Sequence, residues 1–312
     1  MSLNEKQKQA RANKLGCSDL PVIAGLSKWK TPLTLYYQFL GLIPRYNEAE
    51  TEAQEIGSLA EPMLASLMEK RTGCKLRRSP TRQHPTVPWL VANLDMEIVS
   101  DPKGPGVAEF KMRDRSAMPE WDDGIPDDIA VQVAGQLAVT RREWGLVGVL
   151  FGGNVFRIYE IARDKEVEDY VIEIAQQFMV RVEKCDPPPI DWGQDHALIK
   201  RLYGRDSGRV IQLDSPDVVE ACRRLVRAKA ILKEADSHKD EAEAYLKNEM
   251  KDAAYADVPG WGKISWRNDK AGKTFDEEAF AKAHANLHAK FLVDHQGARR
   301  FLVKPNTKEI MP

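Results

Sequence analysis

The chain has few cysteines, and none of them are clustered. Its four cysteines are far apart and form no Cys-x-x-Cys pair: Cys17, Cys74, Cys185 and Cys222. This spacing argues against a disulfide framework, a zinc site or an iron–sulfur cluster. We therefore expect a reduced, cytosolic protein.

Long apolar runs and glycine-rich phosphate loops are also lacking. No run approaches the roughly eighteen apolar residues that cross a bilayer, and residues 1–14 are polar, without the apolar segment of a signal peptide. We expect a soluble, cytoplasmic protein without a membrane partner. The absence of a Gly-x-Gly-x-x-Gly or Walker-type loop argues against a nucleotide-cofactor enzyme.

No excess of one charge sign draws the protein to nucleic acid. The 46 Lys and Arg residues nearly balance 47 Asp and Glu residues, for a formal net charge of −1. DNA binding would therefore have to come from local basic patches. The sequence contains several such groups: Lys75, Arg77, Arg78 and Arg82; Arg113 and Arg115; Arg141 and Arg142; Arg223, Arg224 and Arg227; and Arg299 and Arg300.

Periodicity and turn residues predict alternating helices and strands in the first two thirds of the 312 residues. Helices are expected at 19–41 (broken at 28–32), 55–72, 126–143 and 165–184, and extended segments at 74–79, 88–99, 107–112, 146–151 and 155–161. This order predicts an α/β (α+β) core with a central mixed sheet flanked by helices. We expect a first domain at residues 1–190, ended by the proline run at 187–189.

The remaining residues, 205–312, are expected to form a mainly helical extension with a small sheet element. A long charged helix is predicted at 215–254, a sheet element at 258–266, a further helix at 276–294 and a last strand at 301–303.

The most informative stretch is Glu109-Phe110-Lys111. On a strand, alternate side chains share a face, so Glu109 and Lys111 point together while Phe110 points away. The turn formers of residues 100–106 predict a hairpin that places Asp95 beside Glu109. Two carboxylates and an ammonium group are the minimum set for Mg²⁺-dependent phosphodiester cleavage. The alternative is a solvated charged face, which is common for such triplets.

Further acidic and amide side chains flank this stretch. Glu61 lies in Gly57-Ser58-Leu59-Ala60-Glu61-Pro62 and has two interpretations: an exposed first-turn acid that the helix dipole favours, or an additional metal ligand. Gln132 and Gln136 lie one turn apart on the helix that follows the candidate strand.

Taken in order, these motifs resemble the YqaJ-type phage recombination exonucleases, the group that includes lambda exonuclease, within the PD-(D/E)xK nuclease superfamily. The resemblance covers roughly residues 11–184. It rests on residues 16–19 with 25–32, on 57–62, on Asp95, on 109–111, and on 132–133 with 136–140. The chain departs from the family's motifs at two places. The family commonly has a Ser-Pro-Asp-Gly turn where this chain has Asn93-Leu94-Asp95-Met96, and a more polar pair where this chain has Ala134-Gly135.

The resemblance implies a restriction-endonuclease-like core and a metal-dependent nuclease. Mg²⁺, with Mn²⁺ as a substitute, would be held by Asp95, Glu109 and the Phe110 carbonyl, with Glu61 helping to hold a second ion. Lys111 would orient the attacking water, and Gln132 would position that water or the lysine. Gln136 is expected to be structural.

The resemblance also implies a substrate and partners. We expect 5′-to-3′ degradation of linear double-stranded DNA that leaves 3′ overhangs, in a bacterial host carrying the phage or prophage gene. Arg11 is the candidate for binding the terminal 5′-phosphate, with Lys14 as the alternative and Ser18 as an added hydroxyl. Family members are trimeric rings that pass the exposed strand to a single-strand annealing protein. The resemblance therefore implies a homotrimer and an annealing protein as a partner.

Two other functions fit the same residues. A structure- or sequence-specific endonuclease would use the same core but would nick closed circular DNA. A non-catalytic DNA-binding recombination scaffold would have a decayed site, which the joint presence of Glu61, Asp95, Glu109 and Lys111 argues against.

Overall fold

The computed structural model describes residues 13–45, 51–294 and 297–304. The chain divides into two compact units, Met1–Leu202 and Tyr203–Pro312. In chain order, the strands of the first unit are β1 Leu15–Gly16, β2 Lys75–Arg77, β3 Arg82–Gln83, β4 Leu90–Ala92, β5 Met96–Ser100, β6 Gly106–Arg113, β7 Trp144–Phe151 and β8 Val155–Ala162. Its α-helices are α1 Leu20–Ile23, α2 Pro32–Phe39, α3 Glu52–Thr72, α4 Asp127–Thr140, α5 Lys165–Lys184 and α6 His196–Leu202.

A mixed five-stranded sheet forms the centre of the first unit. Its strand order is β2-β5-β6-β7-β8, and only β6 and β7 run parallel. A parallel pair needs a crossover, and α4 lies in the connection between these strands. Every residue of β7 is buried, as expected for a strand covered on both faces.

Helices cover both faces of this sheet. On one face, Ala108 and Phe110 of β6 pack with Leu64 and Met68 of α3. On the other face, Val107 and the alternate valines of β7 belong to a larger core with Leu137 of α4 and side chains of α5. The predicted α/β (α+β) architecture, a central mixed sheet flanked by helices, is confirmed.

The extended stretch predicted at 88–99 is not continuous. Leu90–Ala92 belongs to a separate three-stranded sheet of order β1-β4-β3, whereas Met96–Ser100 belongs to the central sheet. The chain changes sheets at Asn93-Leu94-Asp95, where no strand pairing is made. The prediction of a single extended segment over 88–99 was wrong. The two strands within it have similar apolar composition, and only their pairing with distant strands distinguishes them.

Helix α3 begins earlier than predicted and ends as predicted. The Thr51 hydroxyl accepts a hydrogen bond from the Gln54 backbone amide, and the Gln54 side-chain oxygen accepts one from the Thr51 backbone amide, which forms a capping box. Gly73 ends the helix with a φ of 78°, a conformation that residues with a Cβ rarely adopt. Glu61 is therefore well inside the helix, and its interpretation as a first-turn acid is wrong.

The second unit contains α7 Pro216–Met250, the antiparallel pair β9 Tyr255–Val258 and β10 Gly262–Ser265, and the short helices α8 Glu277–Ala283 and α9 Ala285–Phe291. The single helix predicted at 276–294 is two, because the backbone of His284 leaves the helical region. Residues 301–303 form no strand. None of the described helices is both long and apolar enough to span a membrane.

Candidate active site

Asp95 lies beside β6, as the predicted hairpin requires. The register of β5 and β6 pairs Met96 with Ala108, and its extension by one residue places Asp95 opposite Glu109. The Asp95 carboxylate accepts a hydrogen bond of 2.7 Å from the Phe110 amide through Oδ2. This side-chain bond connects the bend at Asp95 to β6, so the hairpin prediction is confirmed.

Glu109 is a buried carboxylate with three side-chain donors. Its Oε1 atom accepts hydrogen bonds from Lys111 Nζ and from Gln132 Nε2, the latter at 2.7 Å. Its Oε2 atom accepts from Gln136 Nε2, also at 2.7 Å. Lys111 Nζ also donates to Gln132 Oε1 at 3.1 Å. The α4 amides therefore orient Glu109, and Gln136, expected to be structural, contacts it directly.

The carboxyl groups of this site influence one another. Burial raises the pKa of Asp95 well above its usual range, and the neighbouring Glu109 raises it further. Lys111 and the Phe110 amide lower this pKa, whereas Glu61 adds to the increase. A cation placed among these groups would favour the ionised form of Asp95.

Glu61 reaches the same region from α3. Its side chain is 14% exposed, and its Oε2 atom lies 3.7 Å from Nη2 of Arg78. Burial raises the pKa of Glu61, Arg78 lowers it, and Glu109 raises it. Glu61 and Glu109 are thus close enough to interact although they come from opposite sides of the sheet.

No group of three or more His, Cys, Asp or Glu side chains forms a ready metal cluster among the described residues. Mg²⁺ does not require one, because it keeps several waters and is commonly bound by one or two carboxylates together with substrate phosphates. Asp95, which is bonded to the Phe110 amide, and the neighbouring Glu109 supply hard oxygen donors of this kind. The donor chemistry and the raised pKa of Asp95 therefore fit a small divalent cation.

Two of the amino-terminal candidates, Lys14 and Ser18, flank β1, which pairs with β4, the strand that precedes Asp95. Lys14 Nζ donates to Gln83 Oε1 at 2.8 Å, and its carbonyl accepts from Arg45. Ser18 is exposed within the 3₁₀ turn Cys17–Asp19. Arg11 lies outside the described residues.

Arg45 contacts the turn that carries Ser18, and no pattern in the sequence indicated this contact. Its guanidinium donates to Asp19 Oδ2 at 2.9 Å and stacks on Phe39. The turn carrying Ser18 is therefore held by an ion pair formed across 26 positions of the sequence. No local motif announces such a contact.

Gly135 explains one departure from the family pattern. A Cβ atom at this position would lie 2.3 Å from a Leu20 methyl group and 3.3 Å from Cys17 Sγ. The turn that carries Ser18 therefore packs directly on α4, one residue from Gln136. A larger residue would push the turn away from the glutamine side of the helix.

A second buried carboxylate, Glu97, forms ion pairs with three arginines that belong to two of the basic groups named in the sequence. Arg77, Arg82 and Arg142 all donate to it, and its side chain is 2% exposed whereas Arg77 and Arg82 are 67% and 42% exposed. Burial alone would raise the pKa of Glu97, but hydrogen bonds from Arg142 and Arg77 and the charges of Arg142 and Arg82 lower it. The cluster carries an excess of positive charge at the surface.

Replacement of Glu97 by glutamine should lower the free energy of unfolding by about 1–3 kcal/mol near neutral pH, because charge-assisted hydrogen bonds are lost. The folded pKa of Glu97 lies below the unfolded value of about 4.3. Its stabilisation is therefore present above that pH and is lost as the pH falls through the folded pKa. Urea unfolding of both proteins at neutral and acidic pH should show the difference shrinking in acid.

The matched control for this variant is Glu160→Gln, which removes an exposed partner of Lys103. Exposed pairs contribute little, so a change below about 1 kcal/mol is expected. An equal loss for the two variants, or a loss at Glu97 that does not depend on pH, would contradict the role assigned to the buried carboxylate.

Comparison with known proteins gives matches of sequence and of fold. The model of the family described as YqaJ-like viral recombinase domain matches residues 6–143. The chain is similar to the uncharacterized protein YqaJ of Bacillus subtilis (strain 168), with 33% identity over 264 residues that span 82% of this chain and 81% of the relative. Because the first unit ends at Leu202, this similarity extends into the second unit.

Similar solved structures include the alkaline exonuclease LHK-Exo from Laribacter hongkongensis, with a TM-score of 0.46, 18% identity, and coverage of 58% of this chain and 96% of that chain. A phage-related exonuclease from Haemophilus somnus 129PT has a TM-score of 0.44, 15% identity, and coverage of 55% and 94%.

Proposed function

The chain belongs to the YqaJ family of viral recombinases, and on that premise we propose that it is a phage-type recombination exonuclease. The observation that carries the proposal is the position of Asp95 beside β6, where it accepts a hydrogen bond from the Phe110 amide, with Lys111 donating to Glu109. This arrangement suits hydrolysis of a phosphodiester. We propose linear double-stranded DNA as the substrate and 5′-to-3′ as the direction, which leaves 3′ overhangs.

Asp95, Glu109 and the Phe110 carbonyl are the proposed holders of Mg²⁺, with Glu61 helping to hold a second ion. The bound ion would act as a Lewis acid on the scissile phosphate and lower the pKa of the attacking water. Asp95 must be ionised to bind it. Since burial and Glu109 raise the pKa of Asp95, binding should strengthen as the pH rises through that value.

Lys111 is the group proposed to orient the attacking water and to stabilise the charge that develops at the reacting phosphate. Its ammonium group, with a side chain 17% exposed, is held between Glu109 and Gln132. A cation fixed at this place needs little reorganisation when negative charge develops on the phosphate oxygens. Gln132 would keep Lys111 in position and orient the attacking water.

The chemistry of the cut explains why a 5′-phosphate site is useful. Water adds to the phosphorus, the bond to the preceding 3′ oxygen breaks, and that oxygen leaves with a proton as the 3′-hydroxyl of the released nucleotide. The shortened strand again ends in a 5′-phosphate. We propose Arg11, with Lys14 as the alternative and Ser18 as an added donor, for this end, because guanidinium groups bind phosphate through paired hydrogen bonds.

The wider assembly is proposed from family membership. A trimeric ring would enclose the duplex, and a single-strand annealing protein would receive the exposed 3′ strand in the bacterial cytoplasm. We assign nuclease function to residues 1–190 and leave 205–312 as an extension with another role.

The test is digestion of linear duplexes that carry either a 5′-phosphate or a 5′-hydroxyl, with Mg²⁺, with Mn²⁺ and with a chelator. Strand-specific end labels report the direction. We expect nucleotide release from the phosphorylated 5′ end only when a divalent ion is present. Release that starts at 3′ ends, or that persists in the chelator, would contradict the proposal.

Closed circular DNA separates the alternatives. An end-dependent exonuclease leaves supercoiled circles intact, and an endonuclease nicks them. A protein that binds duplex ends and cleaves neither substrate would instead be a scaffold.

Replacement of Gln136 by leucine should weaken the response to Mg²⁺ without unfolding the protein. Gln136 Nε2 orients Glu109, and removal of such supporting bonds costs about 10- to 100-fold in metal affinity or activity. Leucine removes the donor to Glu109 Oε2 but also the buried Gln136 Oε1, which accepts no hydrogen bond from the described residues, so the two effects on the melting temperature oppose each other.

The measurement is the Mg²⁺ concentration for half-maximal activity, which should rise by about tenfold or more. Gln177→Leu is the matched control, since Gln177 bonds only to Glu173 on the surface of α5. A lower melting temperature with an unchanged Mg²⁺ response would mean that Gln136 only supports the fold.

A further inference from the structure

Helix α7 carries a heptad pattern along its whole length. Leucine or valine recurs every seven residues, apart from one lysine, at Val218, Leu225, Leu232, Lys239 and Leu246. Alanine occupies the position three residues after each of the first four, at Ala221, Ala228, Ala235 and Ala242. These are the a and d positions of a coiled coil. The 35-residue helix is about 52 Å long at 1.5 Å per residue, which is long enough for such a seam.

The central and carboxy-terminal parts of this seam are exposed. Every residue from 227 to 249 is exposed, and Leu232 and Leu246 have 65% and 41% of their surface accessible. The neighbouring Ile231 and Tyr245 are 65% and 67% exposed. An apolar stripe this long is normally covered by another helix.

The charge of α7 is divided along its length. Residues 216–232 contain four basic and two acidic side chains, whereas residues 233–250 contain three basic and six acidic ones. Parallel pairing of two copies would place like-charged halves together. Antiparallel pairing places each basic half against an acidic half, which is electrostatically favourable.

We propose that α7 pairs with the α7 helix of a second copy of this chain in an antiparallel coiled coil. With Leu232 opposite the partner copy's Ala235, every remaining a position meets a d position. Leu225 then meets Ala242, Lys239 meets Ala228 and Leu246 meets Ala221. Val218 meets Glu249 at the end of the seam, whereas in each of the other layers a long side chain faces an alanine, which allows close packing of the helices.

The flanking e positions are consistent with this register. Lys229 of one copy lies near Asp236 of the other, and two-fold symmetry repeats the pair. Lys239 is the one polar residue among the a positions, and its long stem can extend past the small Ala228 while the ammonium group stays in water. A polar a residue lowers stability and restricts the register.

The first test compares molar masses of the full-length protein by light scattering. Leu232→Glu combined with Leu246→Glu places charge in the seam at residues already exposed in the single chain. We expect this variant to have half the mass of the wild type. The control is Ser237→Glu combined with Ala244→Glu, on the opposite side of the helix, which should keep the wild-type mass. Equal masses for wild type and seam variant at the highest soluble concentration would overturn the proposal.

The second test reports direction. In a background with serine at the exposed Cys185 and at Cys222, Ala228→Cys protein is mixed with Lys239→Cys protein and oxidised. The antiparallel register predicts disulfides between the two proteins. It predicts none between two Ala228→Cys copies, whose residues would lie about 16 Å apart along the helix. Self-linking of Ala228→Cys without mixed dimers would indicate parallel pairing and overturn the register.

This inference does not rest on nuclease activity. The seam variants keep every candidate catalytic residue, so mass and digestion are separate readouts. Loss of association with normal digestion supports pairing through α7, whereas absent digestion in all proteins bears only on the proposed function.

Discussion

The Asp95→Asn variant is expected to release nucleotides from linear duplex DNA on the order of a thousandfold more slowly than the wild type, equivalent to about 4 kcal/mol in the barrier. Asparagine keeps an oxygen that can accept the hydrogen bond from the Phe110 amide. It lacks the negative charge that a divalent cation needs. Single-turnover digestion at saturating enzyme measures this loss directly.

The same variant should be at least as stable as the wild type without metal, which separates lost chemistry from lost folding. The folded pKa of Asp95 lies above its unfolded value, so its contribution to stability is full at low pH and is lost as the pH rises through the folded pKa. Asparagine does not titrate. In a chelator at alkaline pH, the variant should therefore have a higher melting temperature than the wild type. Undiminished nucleotide release by the variant would reject Asp95 as a metal ligand.

The Lys111→Met variant is expected to lower the rate of the chemical step by roughly 100- to 1,000-fold, because removal of one preorganised electrostatic group has an effect of this size. DNA affinity should change little, since Lys111 is mostly buried and bonded to Glu109 and Gln132. Rapid-quench digestion gives the rate of the chemical step, and a binding assay in Ca²⁺ gives the affinity.

Lys103→Met is the matched control for this result. Lys103 lies at the other end of the same hairpin, with an exposed side chain bonded to Glu160. Its replacement should leave the rate of the chemical step within about twofold, because Lys103 lies away from the site and its exposed ion pair contributes little to stability. Equal effects at the two positions would mean that Lys111 acts through general charge and not at the reacting phosphate.

Much of the core was predictable because its signals are local. Period-two alternation put Glu109 and Lys111 on one face of a strand, and the glycines and prolines between residues 100 and 106 predicted the turn. Helical periodicity and the proline run at 187–189 similarly predicted the long helices. The position of Asp95 beside β6 followed from these local patterns and the length of the turn.

The contacts that the sequence did not reveal join distant positions. Gln136 lies 27 residues from Glu109, and Arg142 lies 45 residues from Glu97. The bond from Gln136 to Glu109 could have been predicted, since Gln136 lies one turn from Gln132 on the same helix face. The arginines around Glu97 could not, because they come from separate basic groups that pairing of the sheet brings together.

The hydrogen bond from the Phe110 amide has a consequence for which ions suit the site. It engages one oxygen of Asp95, Oδ2, and leaves Oδ1 better placed for an ion, so the carboxylate is predisposed to single-oxygen coordination. Calcium takes more oxygen ligands and often binds both oxygens of one carboxylate. The smaller Mg²⁺ is octahedral and commonly takes a single oxygen from each carboxylate. The Phe110 amide would thus favour a small ion without contacting it, while the Phe110 carbonyl remains a proposed ligand.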